Sequence, residues 1–231
     1  MTATATDASP LQVTLLPQEP NVKRAPATTI AGRSLRFQYA SSTESVDSNL
    51  LILLHGLGDT SRSLFALGQK LQKTLPQTAI MSLQGTEKIP LLPEEACCYW
   101  QCLDPVMGDL VSKPNPSDFL FTFEALLEHL IEVCGWPPEG IHLFGFAHGA
   151  TAALEGAISW SRKQRRRSPR NDEAQNRKFD QTTHADRIGS IVSICGSLLS
   201  VSRGNTKQRQ QQQQQSAPTN ITEPPGQVGG I

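Results

Sequence analysis

A short apolar segment that runs into a pair of glycines constrains the fold of this chain more than any other feature. Ile141–Phe146 has the composition of a buried strand, and the alanine-rich stretch Thr151–Trp160 is typical of a helix that packs closely on a sheet. Gly145 and Gly149 lie on either side of Ala147, and glycines at such positions let the backbone bend sharply. The sequence therefore predicts a strand, a tight turn with Ala147 at its top, and a helix.

A second strand and turn lie earlier in the chain. Leu50–Leu54 is an unbroken apolar run, as expected for a strand that is buried on both faces. The turn that follows begins His55-Gly56-Leu57-Gly58 and has the form His-Gly-x-Gly. A turn of this kind can present a backbone N–H group to a negatively charged oxygen.

Together the two turns resemble those of the phospholipase/carboxylesterase and acyl-protein thioesterase family of α/β-hydrolases. The resemblance rests on His55–Thr60 (HGLGDT), on Gly145–Ala150 (GFAHGA) where the family has GFSQGG, and on the order of the elements between them. It covers roughly Asn49–Ser197. It implies an α/β fold, here a partial α/β-hydrolase fold with a mainly parallel sheet flanked by helices and with disordered tails. It also implies hydrolysis of carboxylic esters or thioesters.

The resemblance places a serine nucleophile at the second turn, where this sequence has Ala147. Hydrolysis on this fold needs that serine, a histidine base oriented by a carboxylate, and two backbone donors for the oxyanion. By resemblance, the donors are the N–H groups of Leu57 and His148. Loss of a triad nucleophile lowers turnover by a factor on the order of 10⁴ to 10⁶. We therefore expect negligible serine-hydrolase activity and assign no catalytic residue.

The acid and base of the family lie beyond two further strands. Nothing after Ser202 can supply them, because that segment contains neither histidine nor aspartate. We expect an incomplete domain in which the strand Ile188–Cys195 has an apolar edge. Three interpretations follow: an impaired member of the hydrolase family, a non-catalytic module that binds an acyl ligand or a protein, and a truncated gene model of an active hydrolase.

Other candidate residues have structural alternatives. Trp100, in a Tyr-Trp pair, is by resemblance the candidate wall of the acyl pocket, and the alternative is that it only caps the edge of the sheet. For His148 we expect a local polar role, and for His55 a structural one. His184 and Asp186 precede a strand, which places them at the rim opposite the site.

Composition divides the chain into three parts. Residues 1–30 are rich in Thr, Ala and Pro and are predicted to be disordered or loosely attached. Residues 31–200 form the incomplete α/β-hydrolase domain, in which 161–186 is a charged insertion, and 201–231 is a disordered tail with a glutamine repeat and several prolines. Within the domain, Ser34–Ala40 alternates like an edge strand, and its expected partner is Leu50–His55.

The charges and cysteines bear on partners and location. The 21 basic residues equal the 21 acidic ones, so no nucleic-acid partner is expected. The basic run Arg162–Arg170 is either a solvated loop or a nuclear address. No secretory signal and no membrane span are predicted, and five cysteines indicate free thiols in a reducing compartment, which favours the cytoplasm. Cys97, Cys98 and Cys102 lack zinc-site spacing, so we expect no metal and no cofactor.

Overall fold

The computed structural model describes residues 20–89, 92–93, 95–167 and 187–199. The described residues from Pro20 to Leu198 belong to one compact unit, and Leu199 belongs to a second. The elements in chain order are β1 (Thr29–Ile30), β2 (Arg33–Ser34), β3 (Phe37–Ala40), β4 (Asn49–Leu54), α1 (Ser61–Leu71), β5 (Thr78–Leu83), β6 (Glu87–Lys88), β7 (Cys97–Cys98), α2 (Ser117–Glu132), a 3₁₀ turn (Pro138–Gly140), β8 (Ile141–Phe146), α3 (His148–Arg167) and β9 (Ser190–Ile194).

A five-stranded sheet in the order β3-β5-β4-β8-β9 forms the centre of the domain. Strands β5, β4, β8 and β9 are parallel, and β3 is antiparallel to β5. The predicted pairing of β3 with β4 is therefore wrong. Both edges of β4 are already hydrogen-bonded to β5 and β8, so β3 joins the sheet at the free edge of β5. The α/β fold with a mainly parallel sheet is confirmed.

Helices pack on the sheet because apolar side chains of the helices and of the strands are buried against each other and so are removed from water. Leu53 and Ile80 are fully buried and pack against Leu64 and Phe65 of α1. Helix α2 has a buried stripe at helical spacing and packs on α3, which in turn lies on β8. The buried residues of that stripe include Phe119, Phe123, Leu126, Leu127 and Leu130.

Strand β9 is attached to the sheet on the side of β8. Its apolar side chains are partly exposed, since Ile191, Val192 and Ile194 retain 38%, 46% and 40% of their accessible surface. Buried strands in this fold have both faces covered, as β4 and β5 do. Strand β9 therefore marks a border of the described sheet.

The ends of the predicted domain can be followed only in part. Residues 1–19, 168–186 and 200–231 lie outside the described residues, and so do His184, Asp186 and most of the predicted insertion and tail. Residues 20–30 are hydrogen-bonded to the domain, for example through Asn21, which pairs with Val46, and Thr29–Ile30, which forms β1. The domain boundaries stay predictions. None of the helices in the described ranges has both the length and the apolar character that a bilayer crossing requires.

The first part of the basic run continues helix α3 to Arg167. Lys163 Nζ lies 3.4 Å from Glu124 and 2.9 Å from Glu128, and Arg167 lies 2.7 Å from Glu128. These carboxylates belong to α2 and offset part of the positive charge. The first residues of the predicted charged insertion, up to Arg167, therefore continue α3, where they pair with acidic side chains of α2.

Candidate functional site

The turn between β8 and α3 is sharp, and Ala147 is its central residue. The φ angle of Ala147 is +49°, in the left-handed region that costs an L-residue about 1–2 kcal/mol. Its N–H donates to the carbonyl of Ile194 at 2.8 Å, and its carbonyl accepts from the N–H groups of Ala150 and Thr151 at 3.0 and 3.1 Å. These hydrogen bonds hold the strained residue between strand and helix.

The two glycines of this turn let backbone atoms approach so closely that no side chain would fit at either position. A Cβ atom on Gly145 would lie 2.4 Å from the Cα of Ala150. A Cβ atom on Gly149 would lie 2.1 Å from the carbonyl oxygen of Leu54. Since these contacts involve backbone, a larger residue would push α3 away from β4. The glycine pair therefore places the start of α3 directly beside the end of β4.

The His-Gly-x-Gly turn follows β4 and is held by its own backbone contacts. Gly58 has φ +81°, and its N–H donates to the carbonyl of Cys97 at 3.1 Å. Asp59 Oδ1 accepts from the N–H of Thr60 at 2.7 Å and from the Ser63 hydroxyl at 2.6 Å. Asp59 thereby ties the turn to the first turn of α1.

Gly56 occupies the side of this turn that faces the end of β8. A Cβ atom on Gly56 would lie 3.2 Å from the ring of Phe146. Strands β4 and β8 are neighbours in register, with Leu54 opposite Gly145. The two glycine turns, which leave the carboxyl ends of these strands, therefore lie side by side, where ligands bind in open α/β sheets.

His55 is fully buried and stabilises the first turn. Its Nδ1 lies 2.8 Å from the carbonyl of Gly56, and its Nε2 accepts from the N–H of Gly85 at 2.9 Å. The N–H of His55 donates to the hydroxyl of Tyr99 at 2.8 Å. Burial lowers the pKa of His55, so the ring is neutral near pH 7. With both ring nitrogens engaged, His55 is held as part of the scaffold.

The backbone N–H groups of Leu57 and His148, one in each turn, have no hydrogen-bond acceptor among the described residues. His148 is the first residue of α3, and the N–H groups of the first helical turn lack partners within the helix. The positive end of the helix dipole adds to their attraction for negative charge. The role of these two N–H groups as donors to an oxyanion stays a prediction.

The side chain of His148 contacts the thiol of Cys102, a residue that was not predicted to belong to this site. Its Nε2 lies 3.1 Å from Cys102 Sγ. Its ring lies edge-on to Trp100, with 4.3 Å between ring centroids, and 5.7 Å from the ring of Tyr99. Burial, followed by the effect of His55, lowers the pKa of His148 to about 4, so the ring is neutral near pH 7.

Cys102 is half-buried and borders a cavity of about 230 Å³ beside the first turn. Leu57 and Cys98 line the same cavity. The Cys102 thiol also lies 3.1 Å from the carbonyl of Trp100, so that oxygen, His148 and Cys98 compete for its one proton. A hydrogen bond from Cys102 lowers the pKa of Cys98, and the same bond together with burial raises the pKa of Cys102.

Trp100 is only 3% exposed and packs against His148, and its ring centroid lies 5.6 Å from that of Phe119. It does not line the cavity beside Cys102. A second cavity, of about 270 Å³, is lined by Tyr99 and Phe119 together with residues of β2 and α2, and Trp100 is absent from its lining as well. The geometry gives Trp100 contact with the turn, and its role as the wall of an acyl pocket stays a prediction.

No group of three or more His, Cys, Asp or Glu side chains in the described part of the chain is arranged to hold a metal ion. The cysteines described are all free thiols. The chemistry that the described site offers is therefore that of two N–H donors, a neutral imidazole and a thiol.

Comparison with known proteins identifies the family. The Phospholipase/Carboxylesterase family model matches residues 39–167, which contain both glycine turns. An uncharacterized hydrolase of Mycosarcoma maydis is 44% identical over 164 residues, which are 71% of this chain and 55% of that protein. An uncharacterized hydrolase of Schizosaccharomyces pombe is 31% identical over 119 residues, 50% of this chain and 48% of that protein.

The chain spans about half the length of these curated relatives. Among solved structures, that of esterase PE8 is similar with a TM-score of 0.47 and 24% identity, over 54% of this chain and 57% of that one. Because the family model covers more than half of the sequence, this chain belongs to the phospholipase/carboxylesterase family of α/β-hydrolases.

Proposed function

We propose that this chain keeps a binding site for a carboxylic ester or thioester but does not hydrolyse it by a serine mechanism. The observation that carries the proposal is Ala147, which occupies the left-handed position between β8 and α3. The family resemblance puts the nucleophile at that position. A methyl group has neither a lone pair to attack a carbonyl carbon nor a proton to give to a base.

The size of this loss supports an impaired site. Removal of a triad nucleophile leaves only the rate that binding and oxyanion stabilisation supply, which is lower by a factor on the order of 10⁴ to 10⁶. Residues outside this sequence would not restore the serine mechanism. A histidine and an aspartate supplied by a longer form would still have no hydroxyl to activate at residue 147.

The parts that recognise a carbonyl group are retained. The N–H groups of Leu57 and His148 have no acceptor among the described residues, and the glycines hold the two turns beside each other. A carbonyl oxygen placed there would accept hydrogen bonds from both. Carboxylic esters and thioesters are therefore the ligand class that the site favours.

Two measurements on the purified chain test this proposal. With p-nitrophenyl butyrate and a fluorophosphonate probe, we expect hydrolysis no faster than in buffer and no labelling. Hydrolysis that the fluorophosphonate abolishes would refute the loss of serine catalysis.

The second measurement is binding of a thioether analogue of an octanoyl thioester, followed by tryptophan fluorescence because Trp100 lies against His148. Leu57→Glu should weaken binding at least tenfold, since it adds a negative charge where oxygen binds. Leu75→Glu is the matched control, because Leu75 is 47% exposed, close to the 42% of Leu57, and lies in the connection after α1. Equal affinity in both variants, or no binding at all, would overturn the retained site.

A further inference from the structure

The Cys102 thiol and the His148 imidazole form a pair that the lost serine mechanism does not use. The sulfur and Nε2 are 3.1 Å apart, which is hydrogen-bonding distance for a thiol. The ring cannot easily turn away, because Trp100 packs edge-on against it. Since His148 directly follows Ala147, the pair stands at the turn where a nucleophile would be needed.

The thiol also faces a cavity that is large enough for a small acyl group. Cys102 lines the cavity of about 230 Å³ together with Leu57, whose N–H is one candidate oxyanion donor. The other candidate donor is the N–H of His148, the same residue whose ring contacts the thiol. The thiol and Leu57 thus line one cavity, and His148, which is not among its lining residues, contacts the thiol from the neighbouring turn.

We propose that Cys102 is an acyl acceptor that takes the acyl group of a thioester bound at this site. The ligand class in this proposal rests on the proposed function. In the step, His148 Nε2 accepts the Cys102 proton while the sulfur attacks the carbonyl carbon. The carbonyl oxygen becomes negative and accepts hydrogen bonds from the N–H groups of Leu57 and His148. The bond from carbon to the leaving sulfur then breaks, and that sulfur takes the proton from Nε2.

This step balances without another reactant. One thioester bond breaks, one forms on Cys102, and the thiol of the ligand leaves with the proton that Cys102 lost. No atom is oxidised or reduced.

The electrostatics of the pair determine how the transfer proceeds. Burial lowers the pKa of His148 to about 4, so Nε2 is unprotonated at neutral pH but is a weak base. The pKa of Cys102 is raised, chiefly by its hydrogen bond to Cys98, so the resting thiol is protonated. Both shifts oppose transfer of the Cys102 proton to Nε2, and the thiol needs that acceptor to become a nucleophile. No carboxylate in the described residues hydrogen-bonds to Nδ1 of His148, so we expect slow, stoichiometric acylation.

The test uses the full chain and S-octanoyl-N-acetylcysteamine at pH 7.5. Intact-mass measurement should find one octanoyl group per chain, peptide mapping should place it on Cys102, and neutral hydroxylamine should release it. Cys102→Ser should lose this adduct. The control is Cys195→Ser, which removes an exposed cysteine and should leave the adduct unchanged.

The role of the imidazole is tested with His148→Phe, which keeps an aromatic ring beside Trp100 and should slow acylation at least tenfold. His148→Gln is a second variant in case the first fails to fold, and thermal unfolding checks both. An unchanged rate in a folded His148 variant, an adduct mainly on Cys98 or Cys195, or no adduct would overturn the inference.

Parallel measurement of analogue binding separates the two proposals. Binding without acylation of Cys102 would refute the acyl-acceptor inference and leave the proposed function intact. Absence of analogue binding would refute the proposed function, whatever the adduct measurement shows.

Discussion

The backbone of Gly149, at the start of α3, lies directly against the carbonyl oxygen of Leu54, at the end of β4. A Cβ atom on Gly149 would stand 2.1 Å from that oxygen. We expect Gly149→Ala to lower the free energy of unfolding by about 3 kcal/mol or more, because backbone on both sides must move. Urea unfolding measures the effect.

The control for this variant is Gly108→Ala. Gly108 has φ +73° and no atom within 4 Å of an added Cβ, so its loss should be only about 1–2 kcal/mol, from the left-handed backbone. Equal losses in the two variants would contradict the close approach of α3 to β4.

Ala147→Gly should raise the stability of the chain by up to about 1 kcal/mol. The residue has φ +49°, and glycine adopts this region without the steric cost of alanine. This gain in the folded chain exceeds the loss from the larger backbone entropy that glycine gives the unfolded chain. The same substitution at Ala66, exposed within α1, should lower stability by about 1 kcal/mol. Urea unfolding of both variants checks the opposite signs, and a loss at both positions would count against a strained turn.

Tyr99→Phe should lower stability by about 1–3 kcal/mol, because the N–H of His55 loses its buried acceptor and the carbonyl of Leu83 loses its donor. Tyr39→Phe is the matched control, since the buried Tyr39 hydroxyl has no well-aligned partner among the described residues. Its removal should change stability by less than about 0.5 kcal/mol, or raise it. Thermal unfolding of both variants measures the difference. Comparable losses of stability in Tyr99→Phe and Tyr39→Phe would show that the hydrogen bonds of the Tyr99 hydroxyl contribute little.

Stability should fall as the pH drops from 7.5 to 5, in part through His148. Its pKa is about 4 in the folded chain against 6.5 for a free histidine, so between these values the unfolded chain binds more protons. Lower pH therefore favours unfolding, and the lowered pKa values of His55 and His142 act in the same direction. His148→Phe should reduce the pH dependence of the urea midpoint. An unchanged dependence would mean that His148 titrates normally.

Lys163→Met should lower stability by about 0.3–1 kcal/mol at low salt, because Lys163 lies within 3.4 Å of Glu124 and 2.9 Å of Glu128. In 1 M NaCl the difference should largely vanish, since screening weakens partly exposed ion pairs. Arg162→Met, at an exposed position of the same helix, should have little effect at either salt concentration. A loss that persists in high salt would indicate packing by the Lys163 stem.

Much of the site could be predicted because it is encoded locally. The glycines around Ala147 and the apolar run before the first turn are contiguous in sequence, and their backbone requirements can be recognised from residue type alone. The family resemblance depends on the same two segments and on the order of the elements between them. The alanine at the predicted nucleophile position is visible in the sequence because only one residue occupies the top of the turn.

The contact between Cys102 and His148 was decided by tertiary structure. The two residues are 46 positions apart, and no spacing rule joins a loop thiol to a helix N-terminus. The spacing of Cys98 and Cys102 shows that they are near each other, but only the packing of Trp100 beneath α3 places the thiol at His148. Similarly, the partner of β3 depended on which edge of β4 was already occupied.

By itself, then, the sequence determined two strand-turn segments, the need for glycine in them and the absence of a hydroxyl at residue 147. Those features follow from φ angles and side-chain size, which act over a few residues. Only the assembled sheet decided which side chains surround the turns, because that depends on strand order and on the helices packed against the strands.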